Sequence, residues 1–146
     1  MSSPERGGQP AGPPAVGSRR SAIPRVLLIL PSHWERALLR AQLIEGGCDA
    51  VGAPDPESAL VYPADAPDRG PVRLVVVDQG ALPEDHRDAL QALRDKHHDP
   101  AVLLLARPTL LPPPGRWAAV IHRPVTVEIL ARNVLDWARS LSGGSG

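Results

Sequence analysis

The residue best placed to do chemistry in this chain is Asp78. It closes the run Leu74-Val75-Val76-Val77-Asp78 and is followed by Gln79-Gly80. A carboxylate at the end of a buried strand can take part in a reaction, or it can merely cap the following turn through its side chain. Other reactive types lack a supporting pattern. Ser32, Ser58 and Cys48 have no motif that places a base beside them, so neither hydrolytic nor redox chemistry is expected. Cys48 lies among Gly46, Gly47 and Ala50 and reads as a packed core thiol. Lys96-His97-His98 has no accompanying Cys-x-x-Cys or His-x-x-x-His spacing. Adjacent helical residues diverge, so these three read as cations at a helix end.

The elements that must position Asp78 follow from hydrophobic spacing. The run ending in Asp78 is short, apolar and rich in β-branched residues, which describes a strand covered on both faces. Arg25 to Leu30 is a second such strand, stopped by Pro31. Ser32-His33-Trp34-Glu35 has the form of a capping box, with Glu35 reaching back to the helix start. Trp34, Ala37, Leu38, Ala41 and Ile44 fall at helical spacing and are expected to face inward. Asp49 to Ala53 is a weak strand, and Asp55-Pro56 caps and starts a short helix. Pro83-Glu84-Asp85 opens a third helix, with Ala89, Leu90 and Leu93 inward. Ala101 to Leu105 and Ala118 to His122 are the last strands, and Thr126 caps a final amphipathic helix. Four prolines between Arg107 and Gly115 argue against a regular helix there.

This alternation predicts an α/β fold with a flavodoxin-like, five-stranded parallel sheet of order 2-1-3-4-5 and helices on both faces. Sites in such sheets lie past the carboxyl ends of the strands, where Asp78 stands. Residues 24–141 form the domain. Residues 1–22, with Pro4, Pro10, Pro13, Pro14 and four glycines, are expected to be a disordered leader. Residues 142–146 are expected to be a flexible tail. With 16 basic and 16 acidic residues the net charge is zero, which excludes a dedicated nucleic-acid or membrane-surface binder. No apolar run reaches membrane-span length, and one cysteine fits a reducing cytoplasm.

Residues 24–141 resemble the receiver domains of bacterial two-component response regulators, the CheY-like family. The resemblance rests on the first strand and its helix, on the strand ending in Asp78, and on His122-Arg123-Pro124 with the helix that follows. It implies that Asp78 is the candidate phosphoacceptor for a histidine kinase. It also implies a cis Arg123–Pro124 bond and Arg123 as the phosphate-pairing cation, in the place of the family's lysine. The family's Mg²⁺ needs an acidic pair after the first strand, where this chain has Pro31 and Ser32. Ala106 replaces the family's hydroxyl residue, and Val120 its rotating aromatic. The family's fourth helix is shortened or replaced by the Pro-rich loop.

These departures point to a degenerate pseudo-receiver in a two-component or phosphorelay pathway, acting by protein–protein contact, without catalysis, metal or cofactor. Two alternatives stand beside it. One is a functional receiver phosphorylated on Asp78 with Mg²⁺. The other is a plain α/β module in which Asp78 caps a turn. A signalling protein, such as a histidine kinase or regulator, is the expected partner. Leu110, Leu111 and Trp117 are candidate contacts, unless they simply cover the sheet where the helix is missing.

Overall fold

The computed structural model describes residues 24–64 and 71–144, with side chains through 141. The predicted leader, residues 1–22, lies outside the described residues. The elements are β1 (Arg25–Ile29), α1 (His33–Glu45), β2 (Asp49–Ala53), α2 (Pro56–Ala59), β3 (Val72–Asp78), α3 (His86–Lys96), β4 (Ala101–Ala106), β5 (Ala119–His122) and α4 (Val127–Gly144). A 3₁₀ turn over Gln79–Ala81 links β3 towards α3. All strand pairs are parallel, in the order β2-β1-β3-β4-β5. This is the predicted arrangement, and no helix stands between β4 and β5.

The central strands are apolar throughout because both sheet faces are covered. On one face Val26, Leu28, Leu74, Val76, Leu103 and Leu105 pack beneath α1 and α4. On the other, Leu27, Ile29, Val75, Val77 and Leu104 pack beneath α2 and α3. In α4 Leu130, Ala131, Val134 and Ala138 are buried, and Val127, Trp137 and Leu141 pack partly buried beside them. The helix continues to Gly144, three residues into the segment predicted as a tail, while residues 145–146 are outside the described residues.

The predicted inward face of α1 is wrong. Trp34, Ala37, Leu38, Ala41 and Ile44 are all exposed, Trp34 to 72%, and the helix buries Leu39 and Leu43 instead. Two apolar stripes overlap on this helix, since Leu38 and Leu39 are neighbours, and polar anchors decide between them. Arg40 Nε donates to the Ala50 carbonyl at 2.8 Å, and Arg36 Nη1 to the Leu30 carbonyl at 2.6 Å. Both arginines hold α1 with Leu39 and Leu43 downward. The helix ends at Glu45 with Gly46 as its cap, and Gly47 follows with a φ of +99° that suits glycine, Cys48 N–H donating back to the Leu43 carbonyl. Cys48 is buried as expected, and burial pushes its thiol pKa up.

A second correction concerns the end of α3. The helix starts at His86, after Asp85, later than the Pro83-Glu84-Asp85 opening. His97 is not a solvated cation, being only 2% exposed, and neither ring nitrogen has a hydrogen-bond partner among the described residues. Its pKa is pushed down, first by burial and then by the nearby charges of Lys96, Arg25 and His98. The folded state therefore binds this proton less readily than the unfolded chain. The stability His97 supports is complete above its unfolded pKa of about 6.5 and is lost as pH falls below it. We expect a decline no steeper than about 1.4 kcal/mol per pH unit from this one proton. Urea unfolding between pH 8 and 5 checks it: His97→Gln should flatten the slope, and an unchanged slope would count against it.

Candidate functional site

The carboxyl ends of β1, β3, β4 and β5 converge on Asp78. Its place at the end of a strand buried on both faces leaves it only 4% exposed. Its Oδ1 accepts from the Gly80 N–H at 2.7 Å, which caps the 3₁₀ turn. Its Oδ2 accepts from Arg123 Nη2 at 2.6 Å. Arg123 follows β5, and its bond to Pro124 is cis, as the resemblance implied.

Arg123 also reaches Glu35, at 2.9 Å from Nη1 to Oε2 and 2.6 Å from Nη2 to Oε1. One guanidinium thus bridges two carboxylates from β3 and α1. The fork–fork contact is a charge-assisted pair of the strong class. The hydrogen bond to Glu35 raises the Arg123 pKa most, and the Asp78 contacts add to it against the cost of burial. Arg123 is therefore a permanent cation.

Glu35 was read from sequence as half of a capping box. Only the first half forms: Ser32 Oγ accepts from the Glu35 N–H at 3.3 Å. The carboxylate goes to Arg123, because a charged partner inside the site outweighs a neutral amide at an exposed helix start. The signal was available, since the first turn of a helix following β1 must face the strand ends. Arg107, directly after Ala106, was also missed. Its Nε lies 3.8 Å from Asp78 Oδ1, and the residue lies across Gly80. A Cβ on Gly80 would sit 1.9 Å from Arg107 Nη2, so a larger residue there would displace the Arg107 guanidinium from its present position. Gln79 ties the surrounding loops. Its Oε1 accepts from the Arg107 N–H at 2.8 Å, and its Nε2 donates to the Leu111 carbonyl at 2.9 Å.

Pro31 and Ser32 follow β1, both exposed. Ala106 is fully buried at the end of β4, and Val120 is partly buried against the face beneath α2 and α3. These donors do not suit Mg²⁺. Pro31 offers no side-chain oxygen, Ser32 caps α1, and both Glu35 oxygens are held by Arg123. No group of three or more His, Cys, Asp or Glu residues able to hold a metal occurs among the described residues.

The contact candidates separate. Leu111 is 90% exposed and Leu110 56%. Trp117 instead packs partly buried on the sheet, with Nε1 donating to the Pro113 carbonyl at 2.8 Å. Among the described residues, no helix is long and apolar enough to cross a membrane.

Comparison with known proteins agrees on the fold. No family model and no curated protein sequence matches the chain. Solved structures do match. A response regulator from Thermotoga maritima is 17% identical with a TM-score of 0.59, covering 81% of this chain and 99% of its own. A CheY-like receiver domain protein from Methanospirillum hungatei JF-1 is 11% identical with a TM-score of 0.62, covering 85% and 99%. NtrX from Brucella abortus is 20% identical with a TM-score of 0.62, covering 84% of this chain and 28% of its own. The chain has the receiver, CheY-like fold.

Proposed function

We propose that this protein is a pseudo-receiver: a signalling module that keeps the receiver fold, replaces the metal-dependent switch with a fixed internal cation, and works through protein contact. The observation that supports this reading is the bridge from Arg123 to both Asp78 and Glu35. A phosphoryl group can be accepted only if its charge is neutralised as it arrives. In this chain the cation is covalently attached and already neutralised by two carboxylates. A divalent ion approaching Asp78 meets the charge of Arg123, with Arg107 behind it. Each Asp78 oxygen already accepts a hydrogen bond, one of them from a cation, which lowers its nucleophilicity.

The partner is a signalling protein, such as a histidine kinase or regulator, in a two-component or related pathway in the cytoplasm. Leu110 and Leu111 are the proposed contacts, projecting from the loop that stands in place of a helix. The alternative is phosphorylation of Asp78 by a histidine kinase. It requires Arg123 to release Oδ2, and no hydroxyl at Ala106 compensates.

The test is NMR or tryptophan fluorescence during titration with Mg²⁺ and then beryllofluoride, with Asp78→Ala as control. We expect no saturable change at millimolar Mg²⁺ and no stable adduct. Saturable shifts around Asp78, absent in the control, would restore the phosphoacceptor reading.

A further inference from the structure

A cleft of about 510 Å³ opens between α2, the 3₁₀ turn and the start of α3. Its floor includes Leu60 and Leu82, which are half-buried and packed on the core beneath. Its rim carries Asp55, Glu57, Asp85 and Asp88, while the Lys96 ammonium donates to the carbonyl of the lining residue Leu60. We propose that this cleft is a docking groove for a basic amphipathic peptide segment of a partner protein. The proposal concerns a different surface from the Asp78 cluster and does not depend on how Asp78 is read.

Charge carries the argument. The whole chain is neutral, so four acids around one cleft are a local concentration. Acids in the first turn of a helix usually serve its dipole, and that accounts for part of this set. Each helix start is equivalent to roughly half a positive charge, so two starts offset about one of the four negative charges. About three remain. Asp55 spends one oxygen on the Ser58 N–H, but Glu57, Asp85 and Asp88 have no ion-pair partner among the described residues. A cleft of one sign with apolar walls focuses its field outward.

The apolar floor decides what kind of cation fits. A bare metal ion makes no use of leucine and proline surfaces. A peptide that buries apolar side chains while its lysines or arginines meet the rim uses both parts. The volume is within the roughly 300–1,000 Å³ range of binding clefts. The complementary shape is an amphipathic segment with apolar anchors at helical spacing and a basic flank.

The experiment uses the full chain and a fluorescein-labelled 14-residue probe with leucines at helical spacing and lysines elsewhere. Matched probes carry serine for leucine or glutamate for lysine. Anisotropy titrations should show saturable binding of the Leu/Lys probe only. Binding should weaken as salt rises and the surface charges are screened. The double variant Glu57→Gln/Asp88→Gln should bind about tenfold more weakly. The variant Glu45→Gln/Glu128→Gln removes the same charge from exposed positions on the opposite face and should bind as the parent does. Circular dichroism confirms that both variants fold. Equal weakening by both variants would reduce the effect to overall charge and overturn the proposal. So would binding of the serine probe as tight as the leucine probe, absence of saturable binding, or a sedimentation result showing a second copy of this chain on the groove.

Discussion

Arg123→Ala is expected to cost about 3 kcal/mol of folding stability, near the lower end of the effect of breaking a buried ion pair. The side chain is 20% exposed, while its partners Glu35 and Asp78 are 18% and 6% exposed. Removing the guanidinium leaves two carboxylates facing one gap with little water to screen them. Arg107 does not replace it, because it is half in solvent and 3.8 Å away from the other Asp78 oxygen. One further response separates this mechanism from simple loss of packing. Millimolar Mg²⁺ should stabilise the variant but not the parent, because the cation's position has been vacated. Arg123→Lys should fall between the two, since a point charge cannot repeat the fork–fork contact. Urea denaturation at pH 7, with and without Mg²⁺, checks all of these. A loss below about 1 kcal/mol would place Arg123 among surface pairs of little weight.

Why the sheet could be read and the site only in part comes down to the range of the forces involved. Leu74–Val77 and Leu27–Leu30 are apolar at every position because both sides are covered, and that pattern is local. Asp78 was legible because it interrupts such a run at the end where sites form. Glu35 was not, because its partner lies 88 residues away and a local motif competed for it. The face of α1 was misread for a related reason. Counting apolar residues favours Trp34, Leu38 and Ile44, but the tertiary anchors of Arg36 and Arg40 turn Leu39 and Leu43 inward. Arg107 and Gln79 sit in turns, where spacing carries no signal, and only the adjacency of β3 and β4 brings them together.

The Pro-rich segment was the other open question, and Trp117→Ala decides it. We expect that change to cost about 3 kcal/mol, the low end of the range for a large aromatic, because the ring is partly rather than fully buried. The sheet face beneath α2 and α3 includes Val102, Leu104 and Val120, and the missing helix would leave it thinly covered. Trp117 packs there. Its Nε1 donates to the Pro113 carbonyl, and Arg94 Nη2 donates to the Arg116 carbonyl at 3.1 Å. The loop is thus fastened to α3 and closes over the core as a lid built from one aromatic ring. Leu111, on the same loop and 90% exposed, buries almost nothing. Leu111→Ala should stay within about 0.5 kcal/mol of the parent. Paired urea melts of the two variants make the comparison, with tryptophan emission of the parent reporting the environment. A neutral Trp117→Ala beside a destabilising Leu111→Ala would mean that the loop does not cover the sheet, and that Trp117 is free to meet a partner.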